Sequence, residues 1–294
     1  MNLSIWVSAG SFLISIFIGL LIGIFGVGGG FLLTPVLMIV LGISGPVSVG
    51  TSLATILVNS TFGLFRRRQS GTVDVKMSLI IGTGSIGGVY AGTFLLEKLK
   101  NIHAFLINGN QIEAVQIILL GCFFLLLAYI LIFMTYDLKV NRNIQGDETL
   151  SVFRKIKIPP YMKFNSIDNG KLSIVSLLFL GLLTGLVTGF LGVGGGIIMI
   201  PVLIYLLGLR SREAAGTSLL LVWISSFSAL FHNISSNNIN LELFYYLTSG
   251  GLIGTFAGTK IGLKISGMKM KVYFIYIICL ALLMTGSKII SMVF

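Results

Sequence analysis

The chain has 294 residues, of which 55% are hydrophobic and 10% are charged, and its net charge is +11. Its mean hydropathy is +1.01. A soluble domain carries charge on about a quarter of its residues, so this composition excludes one and indicates a chain that lies in a bilayer. Most Lys and Arg residues lie in short loops, where membrane topology explains them better than a nucleic-acid partner does. Cys122 and Cys279 lie in apolar stretches and predict neither a disulfide framework nor a metal site.

The apolar runs predict ten helical segments, five in each half of the chain. In the first half they cover about residues 5–25, 31–41, 47–65, 77–96 and 114–136. In the second half they cover about residues 172–191, 197–209, 214–231, 241–263 and 272–293. The longer runs reach the ~20 residues that cross ~30 Å of hydrocarbon. We therefore expect an all-α polytopic protein of the cell membrane, whose first segment is a retained helix rather than a signal peptide.

An internal repeat relates the two halves. The motif Gly-Val-Gly-Gly-Gly at residues 26–30 returns at residues 192–196, and residues 19–93 align with residues 185–259 at an offset of 166 without a gap. Roughly a third of these positions are identical. Such repeats around interrupted helices are typical of secondary transporters. We expect a first transmembrane repeat over 1–136, a cytoplasmic linker over 137–171 and a second transmembrane repeat over 172–294.

The basic loops predict the orientation of the chain. The clusters at 66–68, 210–212 and 264–271, together with the linker, can all be cytoplasmic only if all five segments of each half cross the membrane. The loops at 42–46 and 232–240 contain no Lys or Arg and would then lie outside. An odd number of crossings inverts the second repeat relative to the first. In the alternative, the short segments 31–41 and 197–209 are re-entrant, and the basic clusters of the second half lie outside.

The glycine motifs predict two helix breaks, because each Gly weakens a helix by about 1 kcal/mol relative to Ala. Non-helical backbone at membrane depth is tolerated only where protein buries it or where it lines a cavity. A break also leaves N–H groups free at the start of the next helix, where the helix dipole favours an anion. We therefore expect the breaks to bind an anion; close packing of helices through glycine is the alternative. The positions concerned are Gly28, Gly29, Gly30, Gly194, Gly195 and Gly196.

A second repeated motif, Gly-Thr-Ser, begins the third helix of each half. The hydroxyls of Thr51, Ser52, Thr217 and Ser218 can donate to an oxyanion, or they can satisfy a helical carbonyl instead. No acidic residue lies in the middle of a predicted helix, which argues against a cation pump.

Paired Gly-x-Gly-Gly-Gly breaks, each followed by a Pro (Pro35, Pro201) and then by Gly-Thr-Ser-Leu, resemble the TauE/SafE family of membrane permeases. That family is associated with the export of sulfite and organosulfonates. The resemblance covers both halves, without the 137–171 linker and the last helix of each half. It implies a substrate-binding role for the six glycines and four hydroxyl residues named above, which are the matching positions.

These observations lead to one main expectation and several alternatives. We expect a secondary transporter that moves sulfite, a sulfonate or a related sulfur oxyanion by alternating access between the Gly-broken helices. We expect no cofactor, metal, catalytic residue or nucleic-acid partner. An anion channel and a transporter of another organic anion, such as a carboxylate, remain open. An intramembrane enzyme would need a nucleophile–base pair or a carboxylate dyad in the helices, and neither is visible in the sequence; a membrane scaffold would not need paired breaks.

Overall fold

The computed structural model describes residues 5–100, 105–107, 110–112, 114–140, 158–164 and 171–293. The helices in the described residues are α1 (Ile5–Phe25), α2 (Gly30–Ile39), α3 (Gly45–Gln69), α4 (Val75–Lys100), α5 (Ala114–Val140), α6 (Ile174–Leu191), α7 (Gly196–Pro201), α8 (Ser211–Ser235), α9 (Leu241–Gly262) and α10 (Gly267–Val293). A π-helical turn, Val202–Leu206, continues α7. Two antiparallel hairpins that the sequence did not predict pair β1 (Phe105–Ile107) with β2 (Asn110–Ile112) and β3 (Tyr161–Lys163) with β4 (Lys171–Ser173).

The predicted all-α polytopic fold is confirmed. Six of the described helices, α3, α4, α5, α6, α8 and α10, are long and apolar enough to cross a membrane, judged by length and composition. Large apolar side chains such as Leu125 on α5 and Leu283 on α10 are exposed on the outer surface. Because exposed apolar surface of this extent is stable in lipid and not in water, the chain is a multi-pass membrane protein.

Several helices extend past their predicted ends. α3 continues to Gln69 and α5 to Val140, whereas the apolar runs end near residues 65 and 136. The extra turns carry charged residues, and an exposed long side chain such as that of Arg68 can reach the membrane surface from the end of a helix. The start of the predicted linker is therefore helical, and its residues 141–157 and 165–170 lie outside the described residues.

Two parallel helix pairs, α1 with α9 and α4 with α6, each join a helix of the first half to a helix of the second half. The contact is made through glycine: a Cβ on these residues would approach a main-chain carbonyl of the neighbour to within 2.0–2.1 Å. Only a residue without a side chain permits this approach, as in other membrane helix pairs. The contacts are Gly84 on Leu178, Gly88 on Leu182, Gly254 on Ile16 and Gly258 on Leu20.

Helices α3 and α8, which correspond under the offset of 166, cross between these pairs and run antiparallel. Gly50 near the start of α3 lies against Asn238, just beyond the end of α8. Gly216 near the start of α8 lies against Thr72, just beyond the end of α3. Two equivalent helices that run in opposite directions are related by an axis perpendicular to them.

The basic segments lie together at one end of the helices. Arg212 at the start of α8 donates to the carbonyl of Ile265, between α9 and α10, with Nη2 at 3.3 Å. Nearby, Lys271 Nζ lies 3.9 Å from Asp137 Oδ2 at the end of α5. The opposite end carries Lys100, which bonds to Asn238 beyond α8. The assignment of the basic end to the cytoplasm stays a prediction.

Candidate functional site

The two glycine breaks meet in the interior of the protein. Residues 26–29 separate α1 from α2, and residues 192–195 separate α6 from α7. A Cβ on Gly30 would lie 2.5 Å from the carbonyl oxygen of Gly192, and one on Gly196 would lie 1.9 Å from that of Val27. Each break therefore packs directly on the backbone of the other. The structure brings all six predicted glycines to one place, and all six are buried.

The backbone of both breaks takes a conformation that favours glycine. Gly28 and Gly29 have φ values of 78° and 71°, and their counterparts Gly194 and Gly195 have values of 71° and 73°. In this left-handed region a side chain is strained, whereas glycine is not. The matched values in the two halves show that the repeated motif encodes one local structure.

Two equivalent apolar side chains, Ile56 of α3 and Val222 of α8, fill the space in front of the breaks. A Cβ on Gly28 would lie 2.5 Å from Val222 Cγ1 and 3.3 Å from Ile56 Cγ2. A Cβ on Gly194 would lie 3.3 Å and 3.4 Å from the same two atoms. We call Ile56 and Val222 the central plug. In this conformation the plug occupies the space that a ligand of the breaks would need.

The helices after the breaks begin with backbone N–H groups that their own helix cannot satisfy. The carbonyl of Gly29 accepts from the N–H groups of Leu32 and Leu33 at 3.1 Å and 3.0 Å. As at any helix N-terminus, the N–H groups of Gly30 and Phe31 precede the first intrahelical acceptor. These groups and the positive end of the α2 dipole are suited to an anion.

The serine hydroxyls hold the break of the opposite half. Ser218 Oγ donates to the carbonyl of Gly26 at 2.7 Å; its counterpart Ser52 Oγ lies 3.3 Å from the carbonyl of Gly192 and 2.9 Å from that of Val49 on its own helix. Thr34 Oγ1 lies 2.7 Å from Ser52 Oγ and donates to the same Gly192 carbonyl at 3.1 Å. The serines therefore lie beside the glycines, and in this conformation they satisfy carbonyls that the helix breaks leave open.

The threonine hydroxyls contact the starts of two other helices. Thr51 Oγ1 accepts the N–H of Asn240 at 3.0 Å, and Thr217 Oγ1 accepts the N–H of Asp74 at 3.1 Å. Asn240 and Asp74 cap α9 and α4 through their side chains. Each threonine thus links its own helix, α3 or α8, to the start of a neighbouring helix. The two threonines contact the starts of α9 and α4, whereas the two serines lie at the breaks.

We expect Thr217→Val to reduce stability, because it removes the acceptor of a buried N–H while nearly keeping the shape of the side chain. A lost buried hydrogen bond of this kind costs about 1–3 kcal/mol. Thermal melting of the purified protein in detergent measures the effect. Thr217→Ser is the matched control, since it restores the hydroxyl; equal melting of Thr217→Val and the wild type would contradict the assigned bond.

Arg67 on α3 is a buried cation that the sequence did not reveal. The residue has no exposed surface, and its Nη2 donates to the carbonyls of Gly23 and Ile24 at 2.8 Å and 2.7 Å. These carbonyls end α1, where the helix dipole is negative. The sequence pattern predicts a basic loop at residues 66–68 and does not set Arg67 apart from its neighbours. A usable signal was the four-residue spacing of buried polar or small residues on one face of α3: Thr55, Asn59, Gly63 and Arg67.

The fold and the interior breaks together describe a membrane transporter, in which two interrupted helices meet between two halves of similar sequence. The sequence profile described as "Sulfite exporter TauE/SafE" matches residues 11–285, so the chain belongs to this family. This confirms the resemblance drawn from the motifs.

The relatives of the chain are named as transporters too. It is 25% identical to "Probable membrane transporter protein YjnA" of Bacillus subtilis, over 95% of this chain and 98% of that protein. It is 26% identical to a "Probable membrane transporter protein" of Xylella fastidiosa, over 83% of this chain and 82% of that protein. It is also 25% identical to YunE of Bacillus subtilis, over 92% and 96% of the two chains. No solved structure matches the chain significantly.

Proposed function

We propose that this transporter is a secondary transporter for a small anion, namely sulfite, a sulfonate or a related sulfur oxyanion. The observation that carries the proposal is the meeting of the two glycine breaks at the central plug, Ile56 and Val222. Helix N-termini in a buried position favour an anionic ligand. The printed name of the family, sulfite exporter, favours a sulfur oxyanion among the anions.

In this proposal the anion binds to the backbone of the breaks. The N–H groups at Gly28, Gly29 and Gly30 and those at Gly194, Gly195 and Gly196 approach it closely because these residues lack side chains. Ser52 and Ser218 turn their hydroxyls from the break carbonyls to the substrate. Thr51 and Thr217 supply further hydroxyl donors while they hold the adjoining helix starts. Each hydrogen bond to a charged group contributes about 1.5–3 kcal/mol.

The central plug gives the proposal a mechanism. Its two side chains fill the space in front of the breaks, and in the proposed mechanism this is the conformation closed to substrate. Withdrawal of Ile56 with α3 or of Val222 with α8 would open one side at a time. Such rocking of one bundle against the other around a fixed site is alternating access.

The proposal includes an inverted repeat, which the same geometry supports. The antiparallel crossing of α3 and α8 supports an axis in the membrane plane, which inverts one half relative to the other. The exchanged helix pairs, α1 with α9 and α4 with α6, fit this axis because it interchanges them.

Uptake into proteoliposomes tests the substrate class. The purified chain is reconstituted, and uptake is measured for sulfite, thiosulfate, a sulfonate and a carboxylate at equal concentration. The proposal expects saturable uptake of at least one sulfur oxyanion and competition by the others. Uptake of the carboxylate alone would show that the substrate is a carboxylate and not a sulfur oxyanion. Flux that does not saturate would favour an anion channel.

The proposed orientation predicts which loops an impermeant thiol reagent reaches from outside the cell. In a background with Cys122 and Cys279 replaced by Ala, Ser235→Cys at the end of α8 should be labelled from outside. Gln69→Cys at the end of α3 should be labelled only after the membrane is permeabilised. Both positions are exposed, so burial does not account for a difference between them. The reverse pattern would reject the orientation, and labelling of both from the same side would reject the inverted repeat.

A further inference from the structure

Arg67 carries a charge that its counterpart in the second half lacks. Under the offset of 166 its counterpart is Asn233, which is also buried and is neutral. Asn233 Nδ2 donates to Ala229 on its own helix at 2.8 Å. The equivalent position at the opposite end therefore has no charge. Of these two equivalent positions, the one at the basic end holds a buried cation and the one at the opposite end does not.

Among the described residues, no acidic side chain balances the charge of Arg67. Within the part of the chain that the structure describes, no carboxylate forms an ion pair with Arg67, whereas Lys271 lies beside Asp137. Its side-chain bonds go to two neutral carbonyls, and its buried Nε has no hydrogen-bond partner among the described residues. A buried guanidinium is costly unless it is paired with an anion. The site therefore favours an anionic ligand.

The guanidinium lies next to a glycine break. The carbonyls it holds belong to Gly23 and Ile24, and the break starts at Gly26. On α9, a Cβ at Gly262 would lie 3.0 Å from Arg67 Nη2, so a glycine also leaves room for the guanidinium there. Arg67 of α3 thus contacts α1 and α9 at the basic end of the molecule.

We propose that Arg67 is a substrate-binding residue at the basic end of the transport pathway. The inference rests on the proposed function, and it adds a second, charged binding position on the pathway to the central site, which is built from backbone and hydroxyls. The oxygens of the transported anion replace the carbonyls of Gly23 and Ile24 as acceptors. Charge-assisted bonds to an oxyanion are stronger than bonds to neutral carbonyls, and the planar fork of Arg matches an oxyanion. The exchange frees the end of α1 and so couples binding to movement of the break.

The test compares oxyanion binding by three variants of the full chain, using calorimetry with sulfite, thiosulfate, a sulfonate and acetate as probes. Arg67→Gln keeps amide donors for the two carbonyls and removes the charge, so it should fold and bind at least about tenfold more weakly, a loss of about 1.4 kcal/mol. Arg67→Lys keeps the charge but lacks the planar fork of the guanidinium. It should therefore bind the anion at least about threefold more weakly. Arg68→Gln removes the neighbouring exposed charge and should stay within about twofold of wild type.

The outcomes separate this inference from the proposed function. Wild-type affinity in a folded Arg67→Gln variant would overturn the inference and leave Arg67 as a cap of α1. If Arg67→Gln does not fold, wild-type affinity in Arg67→Lys overturns it. If the wild type binds acetate and no sulfur oxyanion, the proposed substrate class fails, while the same comparison of variants still tests Arg67 with acetate. If the wild type binds none of the four anions, both proposals fail.

Discussion

Cross-linking the central plug should stop transport. In the double variant Ile56→Cys/Val222→Cys, without the two native cysteines, oxidation or a short bifunctional thiol reagent would tie α3 to α8. Both wild-type side chains reach within 3.4 Å of one point, the Cβ position of Gly194, so the two thiols should lie within reach of one another. Because alternating access requires this contact to open, we expect anion uptake to fall at least about tenfold.

The controls separate the cross-link from damage to the site. Each single cysteine variant receives the same treatment and should keep its uptake, and reduction of the double variant should restore it. The extent of cross-linking is measured by mass spectrometry. Full uptake by the cross-linked double variant would show that the pathway does not pass between Ile56 and Val222.

Gly196→Ala should leave little folded protein. The added Cβ would lie 1.9 Å from the carbonyl oxygen of Val27 and 2.3 Å from its carbonyl carbon. These are backbone atoms of the other break, which a side-chain rotation cannot move away. We expect a loss of about 3 kcal/mol or more in the free energy of unfolding, at the upper end of overpacking effects. Yield and melting temperature in detergent measure it.

The matched control for this variant is Gly121→Ala on α5. A Cβ at Gly121 meets no atom within 4 Å, so the change should be neutral or stabilise the helix by up to about 1 kcal/mol. Normal yield and melting of Gly196→Ala would mean that the two breaks do not pack on one another as described.

Helix periodicity and glycine motifs predicted the parts of the fold that depend on local sequence. Each of the ten helices in the described residues overlaps a predicted apolar segment, and the Gly-Val-Gly-Gly-Gly breaks lie where the motif placed them. The hairpins β1–β2 and β3–β4 were missed because three-residue strands in loops have no apolar period. The extra turns of α3 and α5 were missed because charge was taken as the end of a helix.

The site was predictable only in part, because its contacts join distant parts of the chain. The repeat indicated that Gly28 and Gly194 belong to matched breaks, but their contact with the central plug depends on the crossing of α3 and α8. The partners of Thr51 and Thr217 lie beyond the ends of other helices. Arg67 could not be told from Arg66 and Arg68 by composition, since only the rotation of α3 decides which of the three is buried.

The most direct test of alternating access at the breaks is counterflow in proteoliposomes. Vesicles that contain the wild-type chain are loaded with unlabelled sulfite and diluted into a trace of labelled sulfite. A transporter with one site that faces each side in turn should accumulate label transiently above equilibrium and do so faster than unloaded vesicles. Equal uptake by loaded and unloaded vesicles, with a rate that rises linearly with sulfite concentration, would contradict alternating access and indicate a channel.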